Sequence, residues 1–152
     1  MYRTRIGHAH LFVRDLPRSV AFYTTYFNLK ITEQAEGRYA FLTSGDPHHE
    51  LALSAQGMDA PAPDPKGVGL FHLAFDVPSK RAFAQAYAKL SQDGVETAPV
   101  DHKIGWGLYF NDPDGNGLEI YCDTRKERDG EPLWGGQNRP LPHARIMAAL
   151  RD

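Results

Sequence analysis

The chain has 152 residues and a formal net charge of −2, and 41% of its residues are hydrophobic and 24% charged. This is an ordinary globular composition, and the charge provides no basic field for nucleic acid or an anionic membrane. A single cysteine excludes an internal disulfide framework, and no apolar run approaches the roughly 18 residues of a membrane span. We therefore expect one cytoplasmic domain over residues 1–152, with neither nucleic acid nor a membrane as partner.

The first module, about residues 5–56, has the predicted order of one strand, one helix and three strands. Residues 5–14 alternate between two faces, as a strand does. Asp15 is the predicted N-cap of the helix, and Asn28 is its left-handed stop. The strands that follow are predicted at residues 30–36, 38–44 and 49–54.

A linker, residues 57–67, is rich in Pro, Gly and Asp and precedes a second module at about residues 68–123. The same order of elements begins again there. Its first strand is predicted at residues 69–77, Ser79 is the N-cap of its helix, and Gly94 ends that helix. Three more strands are predicted at about residues 95–101, 105–111 and 117–122.

The chain thus repeats itself once, with His8 and His72 at the same point of the two copies. The repeat predicts an α+β fold in which two βαβββ modules form a curved mixed sheet, a cup around a metal site with the helices outside. The tail, residues 124–152, begins with charged and turn residues and ends in a short predicted helix over residues 143–150.

Three residues are predicted to face the concave side of this cup as metal ligands: His8, His72 and Glu119. Their larger apolar neighbours lie on the opposite strand face, where they would pack under the helices; these are Ala9, Leu11, Phe71, Leu73, Leu118 and Ile120. A lone strand histidine is more often a core or surface residue, but an unpaired buried carboxylate costs several kcal/mol. Two imidazoles and one carboxylate leave positions open for an organic ligand and O₂, which suits Fe(II).

Four further residues fit the same cup. His102 comes just before a predicted strand and Tyr109 lies within it, ten residues before the glutamate of the predicted ligand set. His48 and His49 stand at the start of the last strand of the first module. Taken singly, such a tyrosine is more often a core aromatic, and each of these histidines is more often a loop surface residue.

Three segments of the chain read IGHAHLFVRDLPRSVAFY, GLFHLAFDV and LYFNDPDGNGLEIYCD. Together they resemble the vicinal oxygen chelate superfamily, which includes glyoxalase I, fosfomycin-resistance thiol transferases, bleomycin-resistance proteins and type I extradiol dioxygenases. The resemblance covers about residues 5–123 and implies four ligand positions, which here hold His8, Ala52, His72 and Glu119. Because Ala52 cannot bind a metal, three ligands are implied, unless a shifted register brings Glu50 into the site.

The resemblance is strongest to small one-domain extradiol dioxygenases, because His49, His102 and Tyr109 match the pattern of acid–base residues in that group. Strand parity alone favours His48 over His49. The implied enzyme degrades aromatic compounds: it opens the ring of a catechol-type diol with O₂ at Fe(II), with Mn(II) or another divalent metal as the alternative. Tyr109 would hydrogen-bond a catechol oxygen, and His102 would orient the substrate or transfer a proton. His49 would act as acid or base near the bound oxygen.

Two other functions stay open on the sequence. One is a glyoxalase-like lyase or isomerase that uses Mg²⁺, Mn²⁺, Ni²⁺ or Zn²⁺. The other is a non-catalytic binding protein of the bleomycin-resistance kind. The resemblance implies a homodimer or higher homo-oligomer, in which modules pair within one chain or swap between two, and the identity of the catechol stays open.

Overall fold

The computed structural model describes residues 2–151, and they form an α+β fold of two sheets and three helices. The chain divides into two compact units. The first unit contains the described residues up to Gly69 together with Asp112–Asn116, and the second contains Leu70–Asn111 and the residues from Gly117 onward. None of the helices in residues 2–151 has the length and apolar character needed to cross a membrane.

The first unit contains a four-stranded sheet in the order β1-β4-β3-β2 and one helix. Its elements are β1 (Ala9–Val13), α1 (Leu16–Phe27), β2 (Lys30–Ala35), β3 (Tyr39–Thr43) and β4 (Leu51–Ala55). Strands β1 and β4 are parallel, whereas the other neighbours are antiparallel. This is the βαβββ order predicted for the first module.

Helix α1 begins and ends at the predicted residues. The side chain of Asp15 accepts a hydrogen bond from the backbone N–H of Arg18 at 2.9 Å, and Asn28 ends the helix with a φ of 53°. Strand β1 also alternates as predicted, because Leu11 and Val13 are buried while the residues between and before them are exposed. The strand is shorter than predicted, since its partner β4 begins only opposite Ala9.

The second unit repeats this arrangement and adds one strand, in the order β5-β8-β7-β6-β9. Its elements are β5 (Leu73–Asp76), α2 (Lys80–Gln92), β6 (Ala98–Asp101), β7 (Gly105–Asn111), β8 (Gly117–Asp123), β9 (Arg139–Pro140) and α3 (His143–Ala148). Strands β5 and β8 are parallel, as β1 and β4 are. The side chain of Ser79 accepts from the N–H of Ala82, as predicted for an N-cap, and Gly94 follows α2 with a φ of 73°.

Two expectations for the second unit are wrong. The strand predicted at residues 69–77 begins only at Leu73, because its partner β8 begins at Gly117 and leaves nothing for the preceding residues to pair with. Phe71, expected to pack under a helix, is 85% exposed for the same reason. Strand β9 was not predicted at all; it is only two residues long and pairs with β6.

The pairing registers make the two units directly comparable. Ala52 stands opposite Phe41 on one side, and Glu119 stands at the equivalent position opposite Tyr109. Ala52 is therefore the counterpart of Glu119 in the first unit. Glu50 lies outside this register, and its carboxylate accepts hydrogen bonds from the N–H and Oγ of Ser44.

Candidate functional site

The second unit brings together two of the predicted ligands, His72 and Glu119. Nε2 of His72 lies 3.0 Å from Oε2 of Glu119, whose side chain is only 7% exposed. Glu119 is held in place because its neighbours in β8, Leu118 and Ile120, are buried on the opposite face of the strand. The positive or hydrogen-bonding partner that a buried carboxylate requires is thus an imidazole.

Tyr109 and His102 lie beside this pair. Tyr109 stands opposite Glu119 in the β7–β8 register, and its ring centroid is 5.4 Å from that of His72. Its hydroxyl lies 2.7 Å from Nε2 of His102. Burial raises the pKa of Tyr109 well above its ordinary value, and the nearby Glu119 carboxylate raises it further. The phenol therefore keeps its proton at neutral pH and acts as a donor.

Gly107 provides the space for the carboxylate. A Cβ at this position would lie 2.5 Å from Oε1 of Glu119 and 3.2 Å from Nε2 of His102. Both atoms belong to residues of the site, so any larger side chain here displaces them. A glycine at this position of β7 is required by the site rather than by the backbone.

We expect Gly107→Ala to lower the catalytic efficiency of the metal-loaded protein about a hundredfold, the effect of displacing a reacting group by about 1 Å. The displaced group is the end of a flexible side chain, so the thermal midpoint of unfolding should change little. The matched control is Gly45→Ala, because a Cβ on Gly45 meets nothing within 4 Å. Equal activity of the two variants would show that the carboxylate position is not critical.

A cavity of about 630 Å³ opens beside these residues, wholly within the second unit. Its volume suits a small organic molecule. Aromatic and site residues line it, including Phe71, His72, His102 and Tyr109. Among the lining residues, all within the described part of the chain, Glu96 is the carboxylate and there is no lysine or arginine. The cavity therefore favours neutral or cationic ligands.

The first unit contains the remaining predicted residues, His8, His48 and His49. The rings of His8 and His49 have centroids 4.5 Å apart. Nδ1 of His48 lies 2.9 Å from Nδ1 of His49, and its Nε2 lies 3.2 Å from Oε2 of Glu33. Desolvation, followed by the neighbouring histidines, lowers the pKa of His49 below its ordinary value. Of the two neighbouring histidines, His49 is the one whose ring contacts that of His8.

A metal is compatible with the chemistry of these donors. Nδ1 of His72 is buried and has no hydrogen-bond partner within residues 2–151, an arrangement that is costly for a purely structural side chain. The same described residues contain no group of three or more His, Cys, Asp and Glu side chains arranged to hold a metal ion. The structure thus brings together His72 and Glu119, and a third ligand, His8, stays a prediction.

Asn138 and Trp134 belong to the site but were not predicted from the sequence. Oδ1 of Asn138 lies 2.7 Å from Nδ1 of His102 and 2.9 Å from Nε1 of Trp134. Both residues lie in the tail, where no periodic pattern or motif marks them. The pairing of β9 with β6 helps to place this part of the tail beside His102.

Comparison with known proteins identifies the family of the chain. The profile of the Glyoxalase/Bleomycin resistance protein/Dioxygenase superfamily matches residues 5–120. A catechol-2,3-dioxygenase of Bacillus subtilis (strain 168) is 33% identical over 131 residues, which are 84% of this chain but 46% of that protein. The chain therefore spans about half the length of this relative.

Other relatives differ in activity. A metallothiol transferase, FosB, of Lysinibacillus sphaericus (strain C3-41) is 32% identical over 129 residues, 81% of this chain and 85% of that protein. The crystal structure of a glyoxalase/dioxygenase from Nostoc punctiforme superposes with a TM-score of 0.68 at 29% identity, covering 78% of this chain and 90% of that one. The repeated βαβββ fold and the matched profile together show that this chain belongs to the glyoxalase/bleomycin resistance protein/dioxygenase superfamily.

Proposed function

We propose that this chain is an extradiol dioxygenase, which opens the ring of a catechol-type substrate with O₂ at a divalent metal, Fe(II). The ligands are His8, His72 and Glu119, and Mn(II) is the alternative metal. The observation that carries the proposal is the Tyr109–His102 pair beside Glu119, with the tyrosine hydroxyl 2.7 Å from the imidazole. A ligand pair with a phenol–imidazole pair next to it is suited to binding and deprotonating a diol.

The bound metal supplies Lewis acidity that lowers the pKa of the substrate hydroxyls. Tyr109 donates its proton to Nε2 of His102, so its oxygen is free to accept a hydrogen bond from a substrate hydroxyl. A proton leaving the substrate passes to the oxygen of Tyr109 while the phenolic proton passes to His102. His49, which lies beside His8, acts as the acid or base for the O₂ that reacts with the substrate.

The geometry favours ring cleavage over the other activities of the superfamily. A thiol transferase acting on a phosphonate needs cationic side chains at the substrate, and the described cavity lining contains neither lysine nor arginine. A lyase or isomerase of the glyoxalase kind uses four ligand positions, and the counterpart of Glu119 here is Ala52. Three protein ligands leave room for both a bidentate diol and O₂.

The test is oxygen uptake with visible absorbance, after anaerobic loading of the protein with Fe(II). We expect stoichiometric O₂ loss and a yellow ring-opened product with catechol, 3-methylcatechol or 2,3-dihydroxybiphenyl. With 3,4-dihydroxybenzoate, kcat/KM should be at least about tenfold lower, because its carboxylate faces Glu96 without a cation and a tenfold loss needs only about 1.4 kcal/mol.

Two controls make this test decisive. Tyr109→Phe should retain the metal and lose most of the turnover, whereas His143→Ala, a change on α3 at a histidine bonded to Tyr87, should retain both. Tight binding of one metal per chain without any O₂ uptake would contradict the dioxygenase and support a lyase or isomerase. A preference for the carboxylated substrate would contradict the assignment of the cavity as the substrate site.

A further inference from the structure

We propose that the C-terminal segment, residues 124–151, contributes a positioning residue to the site. Asn138 of this segment, held by Trp134, fixes the tautomer of His102. The segment lies beyond residues 5–120, which the superfamily profile matches. The tautomer itself follows from hydrogen-bond geometry within the second unit. Its consequence for turnover rests on the proposed dioxygenase function.

The indole of Trp134 can only donate a hydrogen bond. Its Nε1 lies 2.9 Å from the amide of Asn138, so the atom that faces it must be the carbonyl oxygen, Oδ1. The same oxygen lies 2.7 Å from Nδ1 of His102. Because this oxygen only accepts, Nδ1 of the imidazole must be the nitrogen that carries the proton.

In a neutral imidazole with its proton on Nδ1, Nε2 is an acceptor. Nε2 of His102 lies 2.7 Å from the hydroxyl of Tyr109, so the tyrosine donates to it. The lone pairs of the phenolic oxygen are then directed toward the cavity that Tyr109 lines. With the opposite tautomer, Nε2–H would donate to Tyr109 and could not receive the phenolic proton. Asn138 therefore determines whether the phenol–imidazole pair can accept a proton from a substrate.

The segment also holds the backbone that carries His102. Strand β9 pairs with Val100 and Asp101, immediately before the histidine. The next residue, Lys103, accepts a hydrogen bond on its carbonyl from the N–H of Glu131 at 2.8 Å, and its Nζ donates to Oε1 of Gln137 at 2.6 Å. The turn that carries His102 is thus fixed by contacts on both sides of Asn138.

A second anchor attaches the segment to α2 and β6. Arg145 of α3 donates to Asp101 at 2.6 Å and to Asp129 at 2.7 Å. Lys80 pairs with Asp129 at 2.9 Å, and both cations lie over the ring of Trp106. These contacts leave the segment little freedom to move away from His102, so the Asn138–His102 hydrogen bond is a stable feature rather than an occasional contact.

The experiment reads the tautomer directly by ¹⁵N NMR of the histidine side chains in the metal-free, full-length protein. The wild-type signal of His102, assigned by its loss in His102→Ala, should show the proton on Nδ1. Asn138→Leu should move it to Nε2 or to a mixture of the two tautomers. Asn138→Asp retains an acceptor and should retain the Nδ1–H form, while Leu133→Ala, at a 76% exposed position of the same segment, is the control and should leave it unchanged.

Turnover of the Fe(II)-loaded variants with 3-methylcatechol tests the consequence. Asn138→Leu should lower kcat by roughly tenfold to a hundredfold, the usual effect of removing a partner of a site residue, with KM nearly constant. Trp134→Phe, which removes the indole donor and allows the amide to rotate, should have a smaller effect in the same direction. Asn138→Asp should restore most of the lost kcat.

The outcomes separate the two proposals. A wild-type His102 protonated on Nε2, or a tautomer unchanged in Asn138→Leu, would overturn the role of Asn138 whatever the enzyme does. The predicted tautomer in a protein without ring-cleavage activity would leave the role of Asn138 standing and contradict the proposed function. Circular dichroism of each variant identifies any that fail to fold, and Trp134→Phe then provides the deciding tautomer measurement.

Discussion

Replacing His72 by alanine is expected to abolish both metal binding and ring cleavage. The loss of turnover should exceed the roughly 10–100-fold that changes outside the ligand set cause. His72 is one of three proposed protein ligands, and it is also the partner of a glutamate that is 7% exposed. Its removal leaves the Glu119 carboxylate buried beside Tyr109 without that imidazole. Metal content after dialysis and O₂ uptake are the measurements.

His72→Ala should also lower the free energy of unfolding. A buried ionisable group that loses its partner destabilises a fold by about 3–5 kcal/mol, and the partial exposure of His72 places the expected value at the low end of that range. Glu119→Gln is the matched variant, because it keeps a hydrogen-bonding oxygen for the imidazole but removes the ligand charge. His10→Ala, at an exposed position of β1, should bind metal like the wild type. Full metal occupancy in His72→Ala would contradict the ligand assignment.

The second large effect is expected at Asp112, in the first unit, where Asp112→Ala should lower the free energy of unfolding by roughly 3–5 kcal/mol. Its Oδ1 accepts from the N–H groups of Asp114 and Asn116 at 2.9 and 2.8 Å. Its Oδ2 accepts from the hydroxyl of Tyr23 at 3.0 Å and from the side chain of Asn116. The alanine variant leaves the N–H of Asp114 and the hydroxyl of Tyr23 buried without this acceptor. Urea unfolding followed by circular dichroism measures the change.

Asp112→Asn is the matched control for this prediction. It retains one carbonyl oxygen for the two backbone donors and should therefore cost less than half as much. Tyr23→Phe removes only the hydroxyl, which is held protonated because burial, with the charge of Asp112 next in size, raises the pKa of Tyr23 far above its ordinary value. Equal unfolding free energies for Asp112→Ala and the wild type would show that the turn contributes little to the first unit.

The segment DPDGNG is part of the pattern by which the chain resembles the superfamily, and its role in this chain is structural. Asp114 is bonded to the backbone N–H of Arg14 at 3.0 Å and forms ion pairs with the guanidinium groups of Arg14 and Arg18. Neither aspartate is among the residues that line the cavity of the second unit. Variants at these positions should change stability strongly while the tautomer of His102 in the folded protein stays as it is.

Local signals in the sequence predicted the local structure well. Asp15, Ser79 and Asn28 cap their helices as predicted, because capping depends on a side chain and its nearest backbone groups. The duplication predicted the same βαβββ order of elements along the chain in both units for a similar reason. Two copies of one hydrophobic pattern form the same pairing. Glu119, flanked by two apolar residues in its strand, already indicated a buried carboxylate in need of a partner.

Features that depend on distant partners were not predictable. The start of β5 is set by where β8 begins, so His72 lies before the strand rather than within it. The place of Asn138 depends on a two-residue strand that carries no periodic pattern. Gly107 was unremarkable in the sequence, since its role is defined by a carboxylate in the neighbouring strand.

The turn Asp112–Asn116 completes a unit whose other described residues end at Gly69. Its hydrogen bond to Arg14 joins residues that are 100 positions apart, so the first unit is completed by a contact of long sequence separation. During synthesis, residues up to 69 emerge well before the turn does, at about 5–20 residues per second. The unit then spends several seconds without the acceptors for Tyr23 and Arg14. Cotranslational folding should therefore pass through an incomplete first unit, which becomes stable only when residue 116 has left the ribosome.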